Sequence, residues 1–526
     1  MKRVLPFRVA YSNDFTNITA CRSPFHAPGQ PYSREMLDAA VGEVAGLADA
    51  HFLQLGTGRV PWYPSRIDPP AAYRDWYCAH YGVSPAHPVW TTGLYGYLLR
   101  GGDPLADFIR SCRKHRQKCV ISLRLNDQHG LDMVDSMGST AAVGLIGRFY
   151  AEHPEYRLYP TGRRNDRCMN WAYDEVRETL LALIEEQAAA YALDGYELDF
   201  QRHPRFFRLE ETTVLQRVEI MNGFLRSVRA ILDRHSRDGR RPYLSVRVPC
   251  YRVLLDECGL DVTAFSALGV DLCVVSDHYF ASLDTEFETI RSMLGDVSCF
   301  FEICHTTYSG RDTSIRETSL DDVFSYRRTT PEQIRTLANA AYHQGADGIS
   351  FYNFPYYREY GSISRGPFSE PPFSVIGECR DASALTACAQ DYLLTPGWSC
   401  WPFDPVSRVK DKQLPRVLRS GEREAFHMNL YPPDEICRPV SILRLQFETE
   451  LDAEVFAAEW NGARLTPSDD IREPYGARYP QLLGDARTLR AFELPTERIR
   501  KGRNDFSVVM SGGGEAKLIA VNIPIR

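Results

Sequence analysis

No run of this 526-residue chain approaches the roughly 18 consecutive apolar residues that a membrane-spanning helix needs, so no membrane partner is expected. None of its 14 cysteines stands in a C-x2-C pair, which argues against a structural zinc site. The cysteines are scattered, several inside strand-like runs such as Val297-Ser298-Cys299-Phe300-Phe301-Glu302-Ile303-Cys304. That is the pattern of free, buried thiols in a reducing compartment. Positive charge is not in excess: 61 Lys and Arg stand against 68 Asp and Glu, for a net charge of −7, whereas a nucleic-acid partner would ask for the opposite balance. In Met1-Lys2-Arg3-Val4-Leu5-Pro6-Phe7-Arg8, Arg8 and then Tyr11 to Asp14 interrupt any apolar leader core. No signal peptide and a cytoplasmic location are therefore expected. No internal repeat or low-complexity tract is evident.

What the chain does have is 44% hydrophobic and 25% charged residues, an ordinary balance for a protein with a sizeable core. Its aromatic share, 12%, is on the high side and serves cores and sugar-binding clefts alike. Eight short β-branched or aromatic runs recur, each followed by a polar loop: Val4–Ala10, His51–Leu55, Cys119–Leu125, Gly195–Phe200, Tyr243–Val248, Leu272–Ser276, Cys299–Cys304 and Gly348–Tyr352. Helical spacing fills the intervals, over Ser33–Leu47, Asp103–His115, Asp174–Ala192 and Thr212–His235. Thr330-Pro331-Glu332 opens a further helix, with Thr330 as cap and Pro331 in the first turn. Strands alternating with helices imply parallel pairing. Eight such units predict an α/β fold, a (β/α)8 TIM barrel over residues 1–394 with generous insertions. An open doubly wound sheet would carry a glycine-rich phosphate loop after its first strand, and Tyr11-Ser12-Asn13-Asp14 is not one.

Near Leu394-Thr395-Pro396-Gly397 the pattern changes. Strand-like runs follow at Ser441–Phe447, Ala453–Glu459, Leu489–Leu494, Phe506–Met510 and Leu518–Ile525, and Trp460-Asn461-Gly462 carries a tight-hairpin signal. A β-sandwich accessory domain over residues 395–526 is predicted. Trp398, Trp401 and Trp460 could stack on glycans, but packing is the expected role.

Barrel active sites lie at the C-terminal strand ends. The polar residues there are Asn13 and Asp14 after the first strand, then Arg124, Asn126, Asp127 and His129 after the third. The fourth gives Glu197, Asp199, Arg202 and His203, and the fifth Arg247. Asp277 and His278, Glu302 and His305, and Asn353 follow on the last three. Cleaving a glycosidic bond takes one group to protonate the leaving oxygen and another to activate water or attack. Glu197 or Asp199 with Glu302 would satisfy that scheme as a carboxylate pair. Carboxylates inside barrels also pair with arginines as inert networks. Asp14 could equally be a helix cap, and Arg202-His203-Pro204-Arg205 a loop clamp. His278, His305, Asp277 and Glu302 lack the dense spacing of a metal site, so neither metal nor cofactor is expected.

Asn13-Asp14, Arg124-Leu125-Asn126-Asp127-Gln128-His129, Asp199-Phe200-Gln201-Arg202 and Phe351-Tyr352-Asn353 together resemble the inverting exo-sialidases of glycoside hydrolase family 156. The resemblance implies His129 as Brønsted acid and Asp14 as Brønsted base in a single displacement. It also implies Arg124, Arg202 and Asn353 as substrate contacts, and sialylated glycans as partners; Asn13 and Arg247, at neighbouring strand ends, are expected to bind substrate as well. The chemistry points the same way. Sialic acid carries a carboxylate on its anomeric carbon, and a guanidinium meets a carboxylate with two parallel hydrogen bonds. Arg124, Arg202 and Arg247 at three successive strand ends are more arginine than a neutral sugar requires. Histidine can hold a proton near neutrality, while aspartate is ionised there. The repeated Ser-x-Asp-x-Gly-x-Thr-Trp boxes of propeller sialidases are absent. Two alternatives stay open: a neutral-sugar glycosidase using Glu197 or Asp199 with Glu302, and a non-catalytic sialoglycan-binding protein. The assembly is not fixed, a homodimer being one open to it.

Overall fold

The computed structural model describes the chain apart from residues 1–4, 21–29, 58, 128, 161–166, 238, 279, 309–325, 359–369, 398–411, 434, 452–454 and 473–485, and apart from ten further side chains, among them that of His129. Eight parallel strands close into a barrel: β1 (Val9–Asp14), β2 (Ala50–Gln54), β3 (Lys118–Arg124), β4 (Gly195–Asp199), β5 (Tyr243–Pro249), β6 (Leu272–Ser276), β7 (Ser298–Cys304) and β8 (Gly348–Tyr352). Around the ring they stand in chain order, β1 meeting both β2 and β8. A C-terminal block of antiparallel sheets follows. The predicted fold class is therefore the observed one.

The first strand begins later than expected. The apolar run at its head is real, but Leu5 and Phe7 precede the strand as core residues. Phe7 packs edge-on against Tyr243 and Phe300, with ring centroids 5.8 Å apart in both cases. Burying such a side chain contributes about 2–3 kcal/mol. The strand itself runs on through Tyr11-Ser12-Asn13-Asp14, all buried. Polar residues thus sit inside the barrel wall at its C-terminal end rather than in a loop.

The helices include α1 (Phe15–Ala20), α2 (Arg34–Gly42), α3 (Pro104–Lys114), α4 (His129–Met137), α5 (Asp174–Ala190), α6 (Val214–Arg234), α7 (Arg252–Cys258), α8 (Phe287–Met293) and α9 (Pro331–His343). Their ends follow the expected chemistry. Asp103 caps α3 through the Ala106 N–H, and α5 carries Asp174 and Glu175 in its first turn, where the helix dipole favours negative charge. Capping boxes start α6 (Thr213 with Gln216) and α9 (Thr330 with Gln333). Helix α2 stops at Gly42, short of the predicted Leu47. The backbone leaves the right-handed region a few residues on, at Gly46, whose φ of 77° favours glycine.

The chain divides into two compact units, Met1–Ser276 with Thr289–Phe300, and Asp277–Glu288 with Phe301–Arg526. The second contains β9 (Gln390–Leu394), β10 (Arg416–Arg419), β11 (Arg423–Leu430), β12 (Val440–Phe447), β13 (Val455–Trp460), β14 (Ala463–Arg464), β15 (Thr466–Ser468), β16 (Leu489–Pro495), β17 (Gly502–Ser511) and β18 (Glu515–Ile525). One sheet has the order β9-β18-β12-β16-β15, with β10 also on β18, and the other β11-β17-β13-β14. Inward residues of both, among them Phe426, Met428, Leu443, Leu445, Phe456 and Val508, form one hydrophobic cluster. Asn461 and Gly462 both take positive φ, at 48° and 82°, in the hairpin between β13 and β14, as their sequence predicted. Trp460 is fully buried and stacks on Phe506, a packing role; Trp398 and Trp401 lie outside the described residues.

Candidate active site

Three strands of the first unit carry a charged layer. Arg124, Asp199 and Arg247 are register neighbours on β3, β4 and β5, so positive, negative and positive groups stand side by side. Two residues earlier on the same face lies a second polar layer, Ser122, Glu197 and Ser245. Glu197 accepts from both serine hydroxyls, at 2.7 Å and 3.2 Å. All six are buried.

Asp199 is surrounded by donors. One terminal nitrogen of Arg247 lies 3.0 Å from each of its oxygens, and the backbone N–H groups of Gln201 and Arg202 donate to Oδ1 at 2.9 Å and 3.1 Å. The other terminal nitrogen of Arg247 donates to Ser276 Oγ at 3.1 Å. Asp199 therefore fixes the turn that carries Arg202, itself buried.

Arg124 faces a different pair. One terminal nitrogen donates to Asp14 at the end of β1, and the other to Asp127 Oδ2 at 3.0 Å. The second oxygen of Asp127 lies 3.5 Å from His203 Nδ1. His203 adopts a left-handed backbone, φ 53°, which a non-glycine residue holds only when its surroundings over-determine it. A buried chain thus runs Asp14, Arg124, Asp127, His203. Charges this far from water need such partners, because an unpaired buried ion costs several kcal/mol.

The neighbouring asparagines join segments of the first unit. Asn13 Oδ1 accepts from Asn17 on α1 at 2.9 Å. The Asn126 amide donates to the carbonyls of Met169 and Arg205, and its oxygen accepts from the Met169 N–H at 3.0 Å, tying the loops after β3 and β4 together.

Asp14, Arg124, Arg202, Arg247 and Asn13 are thus all buried in the first unit, and Asp14 is in contact with Arg124. His129 opens α4, five positions after Arg124; its side chain is outside the description. Asn353 and Glu302 belong to the second unit. Asn353 is buried with φ 54°, a left-handed conformation that asparagine tolerates, and its carbonyl accepts the Tyr356 N–H at 3.1 Å. His305 Nδ1 is 2.9 Å from Thr329 Oγ1. Among the described residues no group of three or more His, Cys, Asp or Glu side chains could hold a metal ion. No described helix is long and apolar enough to cross a membrane.

Sequence reasoning put Asp127 at a strand end without giving it a role, and read His203 only as part of a loop clamp. The visible trace was Asp127 three residues after Arg124; the link to His203 needed the fold.

No family model and no curated protein matches the sequence. Among solved structures, the chain is similar to the glycoside hydrolase domain of PgaB (BpsB) from Bordetella bronchiseptica, with 10% identity over 67% of this chain and 95% of that one, at a TM-score of 0.41. It is similar to the GH20 β-N-acetylhexosaminidase of Streptomyces coelicolor A3(2), with 11% identity over 73% and 68% and a TM-score of 0.39. A putative α-L-fucosidase from Bacteroides thetaiotaomicron gives 11% identity over 98% and 94%, with a TM-score of 0.35. The barrel is established by the strand order of this chain itself.

Proposed function

We propose that this chain is a barrel glycosidase and, more narrowly, an exo-α-sialidase that releases terminal sialic acid with inversion. The observation that carries the reading is the contact of Arg124 with Asp14 at the C-terminal ends of β3 and β1. A guanidinium against Asp14 favours its ionised form, the form a base needs to take a proton from the attacking water. His129, at the head of α4, protonates the leaving oxygen. Arg124 already serves two carboxylates, so here it orients Asp14, and Arg202 meets the carboxylate of the sugar. Arg247 holds Asp199 and, through it, the backbone at Arg202.

Hydrolysis of an α-sialoside followed by proton NMR tests this. The β-anomer should form first. A first-formed α-anomer would overturn inversion, and hydrolysis of neutral aryl glycosides with none of the sialoside would overturn the substrate assignment.

The second reading, a neutral-sugar enzyme, uses Glu197 or Asp199 with Glu302. It is disfavoured for Asp199 by the four donor contacts that occupy its oxygens.

A further inference from the structure

A polar cavity lies in the C-terminal β-domain, far from the barrel strand ends in sequence and sharing no residue with the Asp14 network. It measures about 320 Å³ and is lined on one side by the outward residues of β12, Val440, Ile442 and Arg444. Alternation along the strand explains this, since Leu443 and Leu445 between and beyond them point into the core. Among the described residues the lining holds four arginines, Arg438, Arg444, Arg472 and Arg526, and one acidic side chain, Asp470.

Arg444 is the built part. It is buried, its Nε donates to the Asp470 carbonyl at 3.2 Å, one terminal nitrogen donates to Asn522 Oδ1 at 3.3 Å, and the other lies 3.8 Å from Asp470 Oδ1. Asn522 in turn donates to Asp391, which also accepts from Gln333 on α9 at 2.9 Å. The guanidinium is thereby held in place before any ligand arrives. Arg472 and Arg438 are exposed at the rim, and Arg472 reaches Asp470 at 3.1 Å. Ser441 and Thr496 add hydroxyls, and Val440, Ile442 and Pro524 add apolar surface.

We propose that this pocket binds an acidic sugar unit of an oligosaccharide, with Arg444, Arg438 and Arg472 on its carboxylate or sulfate and its ring on Val440, Ile442 and Pro524. Planar guanidinium forks recognise such anions in pairs of parallel bonds. The cavity lies at the small end of the roughly 300–1,000 Å³ range of ligand pockets, larger than a bare inorganic anion needs and suited to a sugar ring. Apolar faces beside hydroxyls fit a pyranose, whose C–H and O–H groups face different ways. A site of this kind, separate from Asp14, would tether the protein to an anionic glycan.

Calorimetry on the full chain tests it with three probes: a hexuronate tetrasaccharide, its sulfated counterpart, and the carboxyl-reduced neutral form. At least one acidic probe should bind, with affinity falling as salt rises, and the neutral form should bind at least about tenfold more weakly. The probe that binds identifies carboxylate or sulfate as the anion. The rim variant R438Q/R472Q, whose side chains are exposed, should weaken binding about tenfold or more with an unchanged melting curve. R444K should weaken it as well, whereas D14N should not. Equal binding of the neutral form, equal binding by R438Q/R472Q, or inorganic sulfate displacing the sugar at the same concentration would overturn the proposal.

Discussion

Arg124 on β3 reaches Asp14 on β1 across the intervening strand β2, and holds Asp127 with its other terminal nitrogen. One guanidinium thereby fixes two buried carboxylates whose parent segments are more than a hundred residues apart.

Removing that guanidinium leaves two buried anions without it. Arg124→Met should lower stability by about 3–5 kcal/mol in urea unfolding, with Arg124→Lys losing less. A Met variant within 1 kcal/mol of the parent, as an order-of-magnitude bound, would mean that water already satisfies both carboxylates.

Asp14→Asn keeps the shape and removes the base. Turnover of an aryl sialoside should fall by roughly 10²-fold or more, while the protein stays folded. Activity within about threefold of the parent would remove Asp14 from the mechanism.

His129→Ala should separate substrates by leaving group. Natural sialosides, whose leaving alcohol needs a proton, should slow by about 10²-fold or more, and activated aryl sialosides much less. Equal losses on both would assign His129 no role as acid.

Arg202→Gln should act on binding. KM for a sialoside should rise about tenfold or more, with a smaller change in kcat, because the substrate carboxylate does not react. A fall in kcat alone would place Arg202 elsewhere in the cycle.

Burial pushes the Asp391 carboxyl up to about 6 from its usual 3.8, with Asn522 and Gln333 pulling the other way. The folded state thus binds this proton more tightly than the unfolded chain. Its contribution to stability is full below pH 3.8 and is lost as pH rises through about 6. The difference is worth up to about 3 kcal/mol. Asp391→Asn should show a smaller loss of unfolding free energy between pH 4 and 7, as rough bounds, than the parent chain. Parallel profiles would refute the assignment.

Strand positions were legible wherever apolar residues have one use. Leu272–Ser276 and Gly348–Tyr352 are strands at the residues read from sequence. The first run misled because Leu5 and Phe7 are apolar for the core while the strand beside them ends in polar residues. In the C-terminal domain Arg423–Leu430 was missed, although Phe426, Met428 and Leu430 alternate inward at the period of a strand; polar neighbours diluted the run. At the site, residue types were legible and partnerships were not. Nothing in the order of residues says that Arg247 engages Asp199 while Arg124 engages Asp14. Those pairings follow from which strands become neighbours and how far each side chain reaches.

Strand β18 takes antiparallel pairing from β9, β10 and β12. On the ribosome its residues emerge after all three. For the stretch between Leu394 and Glu515, synthesis takes on the order of ten seconds. During that interval the three earlier strands lack the neighbour that satisfies their backbone groups. The C-terminal block is thus assembled around a late-arriving keel, and its sheet is complete only once that last strand has been made.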